Sequence, residues 1–149
     1  MSMIDPTLRC RRGFTTIEVI AALLLTAVLA AVAVSRMVDA SADLAAESEI
    51  AKAHLRFVQS RAMNADVPWG VRFDGGSYTM LTDGLPSSGL LPNETSSTHT
   101  LAVGTVSASI NPVLFDEWGS PGIADITVTV GDGSGSKSFV ISKNTGFIP

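Results

Sequence analysis

Arg11-Arg12-Gly13-Phe14-Thr15-Thr16-Ile17-Glu18-Val19 opens an almost wholly apolar run that continues to Val34. From Phe14 to Val34, twenty-one residues, the sole ionisable side chain is Glu18. As a helix rising about 1.5 Å per residue the run is roughly 31 Å long, close to the hydrocarbon thickness of a bilayer. A carboxylate inside such a segment costs about 2.5–3.5 kcal/mol on insertion scales, so Glu18 requires a partner or a purpose. Arg9, Arg11 and Arg12 precede the run, while Arg36 follows it with Asp39 and Asp43 close behind. That asymmetry keeps the N-terminus in the cytoplasm and sends the rest across.

Arg11-Arg12-Gly13 followed by Phe14-Thr15-Thr16-Ile17-Glu18 resembles the processing site of type IV prepilins and type II secretion pseudopilins. The resemblance implies that a prepilin peptidase cuts after Gly13 and N-methylates Phe14. It also implies that Glu18, fifth in the mature chain, guides filament assembly. The implied organisation is a removed leader over 1–13, a membrane and filament-core helix over 14–35, and a periplasmic head over 36–149. Two plainer alternatives compete. Ala31-Val32-Ala33 would pass as a signal-peptidase site, and Arg11-Arg12 resembles a twin-arginine signal. An ordinary single-span anchor would explain the length of the run. Neither gives a glutamate within it any work to do.

The 149 residues suit one domain plus an anchor, and the mean hydropathy of +0.33 comes largely from the apolar run. Arg9, Arg11, Arg12 and Asp5 lie in the leader; without them ten basic and fourteen acidic side chains become seven and thirteen. A mature chain at a formal −6 argues against a large phosphate-binding surface, so nucleic acid is not an expected partner. Cys10, the single cysteine, also lies in the leader, and the head must hold by packing without a disulfide.

Beyond Arg36 the apolar pattern becomes helical. Leu44, Ser48, Ala51, Leu55, Val58 and Ala62 recur at steps of four and three, one stripe of an amphipathic helix. Asp39, Asp43, Glu47, Glu49, Lys52 and Arg56 are assigned to its wet side. No helix breaker occurs before Asp66-Val67-Pro68, so one helix is expected from about Phe14 to about Ala65. Many major pilins carry a proline near the position of Ser35; its absence departs from that pattern. The segment Ala46–Met63 resembles the corresponding part of H-type minor pseudopilins and FimT-like minor pilins.

After Pro68 the period changes to two. Val71-Arg72-Phe73 and Tyr78–Leu81 flank Asp74-Gly75-Gly76 as a hairpin. Residues 85–99, rich in serine and threonine with two prolines, are expected to be a loop. Leu101–Ile110 and Val113–Phe115 suggest strands. Ile126–Val130 and Ser138–Ser142 suggest a second hairpin around a glycine- and serine-rich turn. The expected fold is α+β, a long N-terminal helix packed on a small antiparallel sheet in the manner of pilins.

No catalytic constellation emerges, so no enzyme and no cofactor are expected. His54 falls on a helix flank, where packing is its simplest role, and His99 is expected to be exposed in a loop. Gly131–Lys137 fails phosphate-loop spacing and lies between strands. Asp125 and Asp132 are the candidates for a Ca2+ site, though no ordered ligand ladder accompanies them. Trp69 and Trp118 are expected to be packing anchors at strand ends. The function that follows is a structural subunit of a type II secretion pseudopilus, with a type IV minor pilin as the alternative. Its partners would be other pilins or pseudopilins, the prepilin peptidase and an inner-membrane assembly platform.

Overall fold

A computed structural model describes residues 14–149, apart from the side chains of residues 35–40. Gly13, the rest of the expected leader and the side chains of Ser35, Arg36 and Asp39 therefore lie outside the described residues. Two compact units divide between Val38 and Asp39, and a single helix, α1 (Thr16–Ala62), contributes to both. Its 47 residues contain no glycine or proline and many alanines and leucines, the composition that lets a helix run uninterrupted. It closes with Arg61 in its last turn and with two tightened bonds, Asn64 N to Arg61 O (3.1 Å) and Ala65 N to Ala62 O (3.2 Å).

In the second unit α1 meets eight short strands: β1 (Trp69–Phe73), β2 (Ser77–Thr82), β3 (Leu85–Pro86), β4 (Thr98–Thr100), β5 (Thr105–Ala108), β6 (Val113–Phe115), β7 (Ile126–Gly131) and β8 (Ser136–Ile141). β2 is flanked by β1 on one side and by β3 and β4 on the other, with β6 beyond β1. The second sheet runs β5-β7-β8. All pairings are antiparallel, and a bridge between Gly75 and Val106 ties one sheet to the other. The Asn111 amide extends the β1–β6 ladder, accepting from Phe73 N (3.0 Å) and donating to Phe73 O (2.8 Å).

The expected helical stripe is the inner face of the head. Leu44, Ser48, Ala51, Leu55, Val58 and Ala62 are all buried. They join Val71, Phe73, Tyr78, Met80, Val113 and Phe115 from one sheet and Val106, Ile126, Val128, Val130, Phe139 and Ile141 from the other in one apolar core. Ser48 lies against this core as a buried polar member of the stripe.

Two expectations need correction. Residues 85–99 are not wholly loop, because Asp83 and Gly84, at φ 53° and 76°, form a tight turn that returns Leu85 beside Thr82. Pro86 is tolerated there because β3 lies at an edge. Nor is Leu101–Ile110 one strand. Gly104 interrupts it at φ 77°, where a Cβ would lie 2.6 Å from Gly131 O, and pairing begins only at Thr105.

Leu55 is 1% exposed at the centre of the stripe. Leu55→Ala should lower the unfolding free energy of the head by about 2–5 kcal/mol, whereas exposed Ser60→Ala should change it by less than about 0.5 kcal/mol. Urea unfolding of the two variants checks this.

Candidate functional site

Two features stand apart from ordinary packing: the uncovered first half of α1 and a buried polar cluster in the head. Thr16–Val34 has a mean hydropathy of 2.6, and none of it is covered by the rest of the chain. Phe14 is 82% exposed and Ile17 75%. The segment is long and apolar enough to cross a membrane. Its one mid-segment hydroxyl is satisfied internally, Thr26 Oγ1 donating to Leu23 O (2.9 Å) and Ala22 O (3.0 Å).

Glu18 is not in the middle of this helix. It occupies the first turn, where Thr15 caps the start: Thr15 O accepts from Glu18 N (3.0 Å) and Val19 N (3.2 Å), and Thr15 Oγ1 accepts from Glu18 N at 3.3 Å. Thr15-x-x-Glu18 has the spacing of a capping box, and the carboxylate lies at the positive end of the helix dipole. The insertion cost for a central carboxylate therefore overstates the penalty here.

The buried cluster contains residues assigned to solvent from the sequence. Glu47, placed on the wet side, is 6% exposed, and His99, placed in an open loop, is 7% exposed. His99 Nδ1 lies 2.6 Å from Glu94 Oε1 and its Nε2 3.1 Å from Glu47 Oε2. The His99 ring thus bridges a carboxylate on α1 and one in the loop before β4. Glu47 Oε1 also accepts from Ala102 N at 2.9 Å. His54 Nε2 donates to Pro92 O at 2.9 Å, which leaves Nδ1 to accept from the Tyr78 hydroxyl at 2.7 Å. Burial holds His54 below the ordinary histidine range despite its Pro92 bond, and neighbouring His99 lowers it further. Burial chiefly, then Glu47 and Glu94, pushes the Tyr78 phenol up.

Every ring nitrogen of this cluster has a protein partner, and no metal-binding group of His, Cys, Asp or Glu occurs among the described residues. Asp125 and Asp132 sit at opposite ends of β7, about 23 Å of extended chain apart, and do not share an ion. Asp125 Oδ1 accepts from Lys143 N at 2.8 Å. Asp132 caps its own turn through Ser134 and Gly135, bonds that hold its carboxyl below the usual range. Trp69 packs against the core as expected, but Trp118 does not: it is 77% exposed.

The signal for Glu47 was present in its spacing. Glu47 lies seven residues before His54, whose packing role on the helix flank was expected, and treating charge as a marker of solvent hid Glu47 alone. For Trp118 no sequence signal separates an anchor from an exposed ring.

No protein-family model matches the sequence, and no curated protein does either. Among solved structures, the type IV minor pilin FimU of Pseudomonas aeruginosa is similar in two crystal forms. One is 14% identical over 77% of this chain and 90% of that chain, with a TM-score of 0.50. The other is 17% identical over 70% and 89%, with a TM-score of 0.49. The fold is a pilin fold. In this pilin-like chain the apolar half of α1 is compatible with a single-pass anchor, and the polar cluster belongs to the head.

Because His54 is held neutral in the folded head, the unfolded chain binds the extra proton as pH falls through the ordinary histidine range. The His54 contribution is present above about pH 6.5 and is lost on acidification toward its lower folded value. Urea midpoints at about pH 7.5, 6.5 and 5.5 should fall for the wild type. His54→Gln should flatten that dependence.

Proposed function

We propose that the chain is a structural, non-enzymatic filament subunit, anchored in the inner membrane by α1 with its head in the periplasm. The observation that carries this is the uncovered apolar helix at Thr16–Val34 on a chain with a pilin fold. In lipid that surface is solvated by acyl chains. Among neighbouring copies of such helices the same side chains pack into a common filament core. The proposal includes removal of 1–13 by a prepilin peptidase, N-methylation of Phe14, a filament-core helix over 14–35 and a head over 36–149. An inner-membrane platform would move the subunit between the two environments.

Glu18 has two distinct roles on this view. Within its own chain it belongs to the helix cap. Within a filament its charge meets the terminal amine of a neighbouring Phe14 and sets axial register, so that a buried carboxylate gains a partner. The acidic mature chain supports a type II secretion pseudopilus as the machine it joins. The likeness to FimU, a type IV minor pilin, favours the second assignment, a minor subunit of a type IV pilus.

Intact mass and N-terminal sequencing of membrane-extracted protein should show a mature start at N-methyl-Phe14. A start at Val34 would mean that a signal peptidase acted and would remove the basis for the filament assignment.

Glu18→Gln separates the two roles of the glutamate, since glutamine also serves in a capping box but carries no charge. The variant should be inserted and cleaved normally yet crosslink poorly through its N-terminal region to partner pilins. Losing one member of a buried ion pair typically costs about 3–5 kcal/mol, enough to deplete it from filaments by more than about a hundredfold. Glu18→Leu should behave alike. Equal crosslinking in wild type and Glu18→Gln would leave only the capping role.

A further inference from the structure

Trp118 takes no part in the core, yet its position is fixed. Asp116 Oδ1 accepts from Trp118 N (2.9 Å) and Ser120 N (2.8 Å), while Gly119 N donates to Asp116 O (2.9 Å). Gly119, at φ 74°, lies so near α1 that a Cβ there would be 3.0 Å from Met63 Sδ and 3.1 Å from Gln59 Cγ. Gln59 Nε2 clamps the same loop, donating to Gly119 O and Gly146 O at 2.8 Å each. An exposed indole on so constrained a loop costs no backbone ordering on contact, one property of an interface anchor.

Beside Trp118 is a cleft of about 310 Å³ lined by Met63, Asn64, Ala65, Asp66, Glu117 and Trp118. Met63, 55% exposed, and Trp118 give it apolar surface. Asp66 and Glu117 are exposed carboxylates with no ion pair among the described residues. The end of α1 adds the partial negative charge of its terminal carbonyls. Arg61, the cation of that last turn, is committed elsewhere, over the rings of Phe57 (5.2 Å) and Trp69 (5.8 Å). The cleft thus combines an aromatic face, a thioether and like negative charges without a cation of its own.

We propose that this cleft receives a lysine or arginine side chain from a partner protein. The alkyl stem would lie along Met63 and Trp118, and the cationic head would sit among Asp66, Glu117 and the carbonyl end of α1. The site lies wholly in the head, so it stands whether or not the apolar helix enters a filament.

The test uses the full chain in detergent micelles, with isotope-labelled methionine methyls and tryptophan indoles followed by NMR. The probes are acetyl-Gly-Lys-Gly-amide and its norleucine counterpart. The lysine peptide should shift the Met63 methyl and Trp118 indole signals saturably, the norleucine peptide should not, and added salt should weaken the effect. The double variant Asp66→Asn/Glu117→Gln should bind about three- to fivefold more weakly, the effect of losing two exposed ion pairs. Equal shifts from norleucine, unchanged affinity in the double variant, or no shift at all would overturn the proposal. So would concentration-dependent shifts without peptide, which would assign the cleft to a second copy of this chain.

Discussion

The head depends on one helical face meeting two sheets that are too small to stand alone. The first sheet is built from strands of two to six residues and the second has only three strands. Strands this short, with one apolar face each, need a covering layer to exclude water. Leu44, Ala51, Leu55, Val58 and Ala62 supply that layer, continuous with inward side chains from both sheets. With Cys10 outside the head and no other cysteine in the chain, no covalent crosslink can substitute for this packing.

The same helix satisfies a different rule before residue 35. There the apolar side chains run all round rather than along a stripe, as suits a segment with apolar surroundings on every side. What distinguishes the segment from a generic span is its beginning. Thr15 closes the helix start and the carboxylate of Glu18 sits where the helix dipole favours it. A glutamate here is less costly than its place in a hydropathy plot suggests.

The long helix, the hairpins at β1–β2 and β7–β8, and the buried stripe were legible because each rests on a period that packing enforces. What was not legible depended on contacts distant in sequence. Glu47 reads as a wet-face charge until His99, 52 residues on, is brought to within 3.1 Å of it. β4 lies in a stretch whose serines and threonines say loop, but its pairing with β2 through Ser77, Tyr78 and Thr79 is a tertiary fact. Glycines at 84 and 104 carried local signals, a tight turn and a strand break, that the surrounding apolar and proline residues obscured. Trp118 fails for the opposite reason: burial is the usual fate of an indole, and nothing local marks the exception.

The polar side chains along α1 answer a question that its apolar stripe leaves open. Ala51, Val58 and Ala62 are small, and contacts among such groups are non-directional, so a slide by one heptad would retain much of the apolar burial. Glu47, His54, Arg56 and Gln59 remove that freedom. Between them they bind Ala102 N, Pro92 O, Pro149 O and the carbonyls of Gly119 and Gly146, with every distance between 2.7 and 2.9 Å. Each bond contributes only about 1 kcal/mol net. A shifted helix, however, would leave Glu47 and His54 buried without partners, and an uncompensated buried carboxylate alone costs about 3–5 kcal/mol. The register of the helix in the head is therefore set less by what these bonds add than by what any other register would leave unpaired.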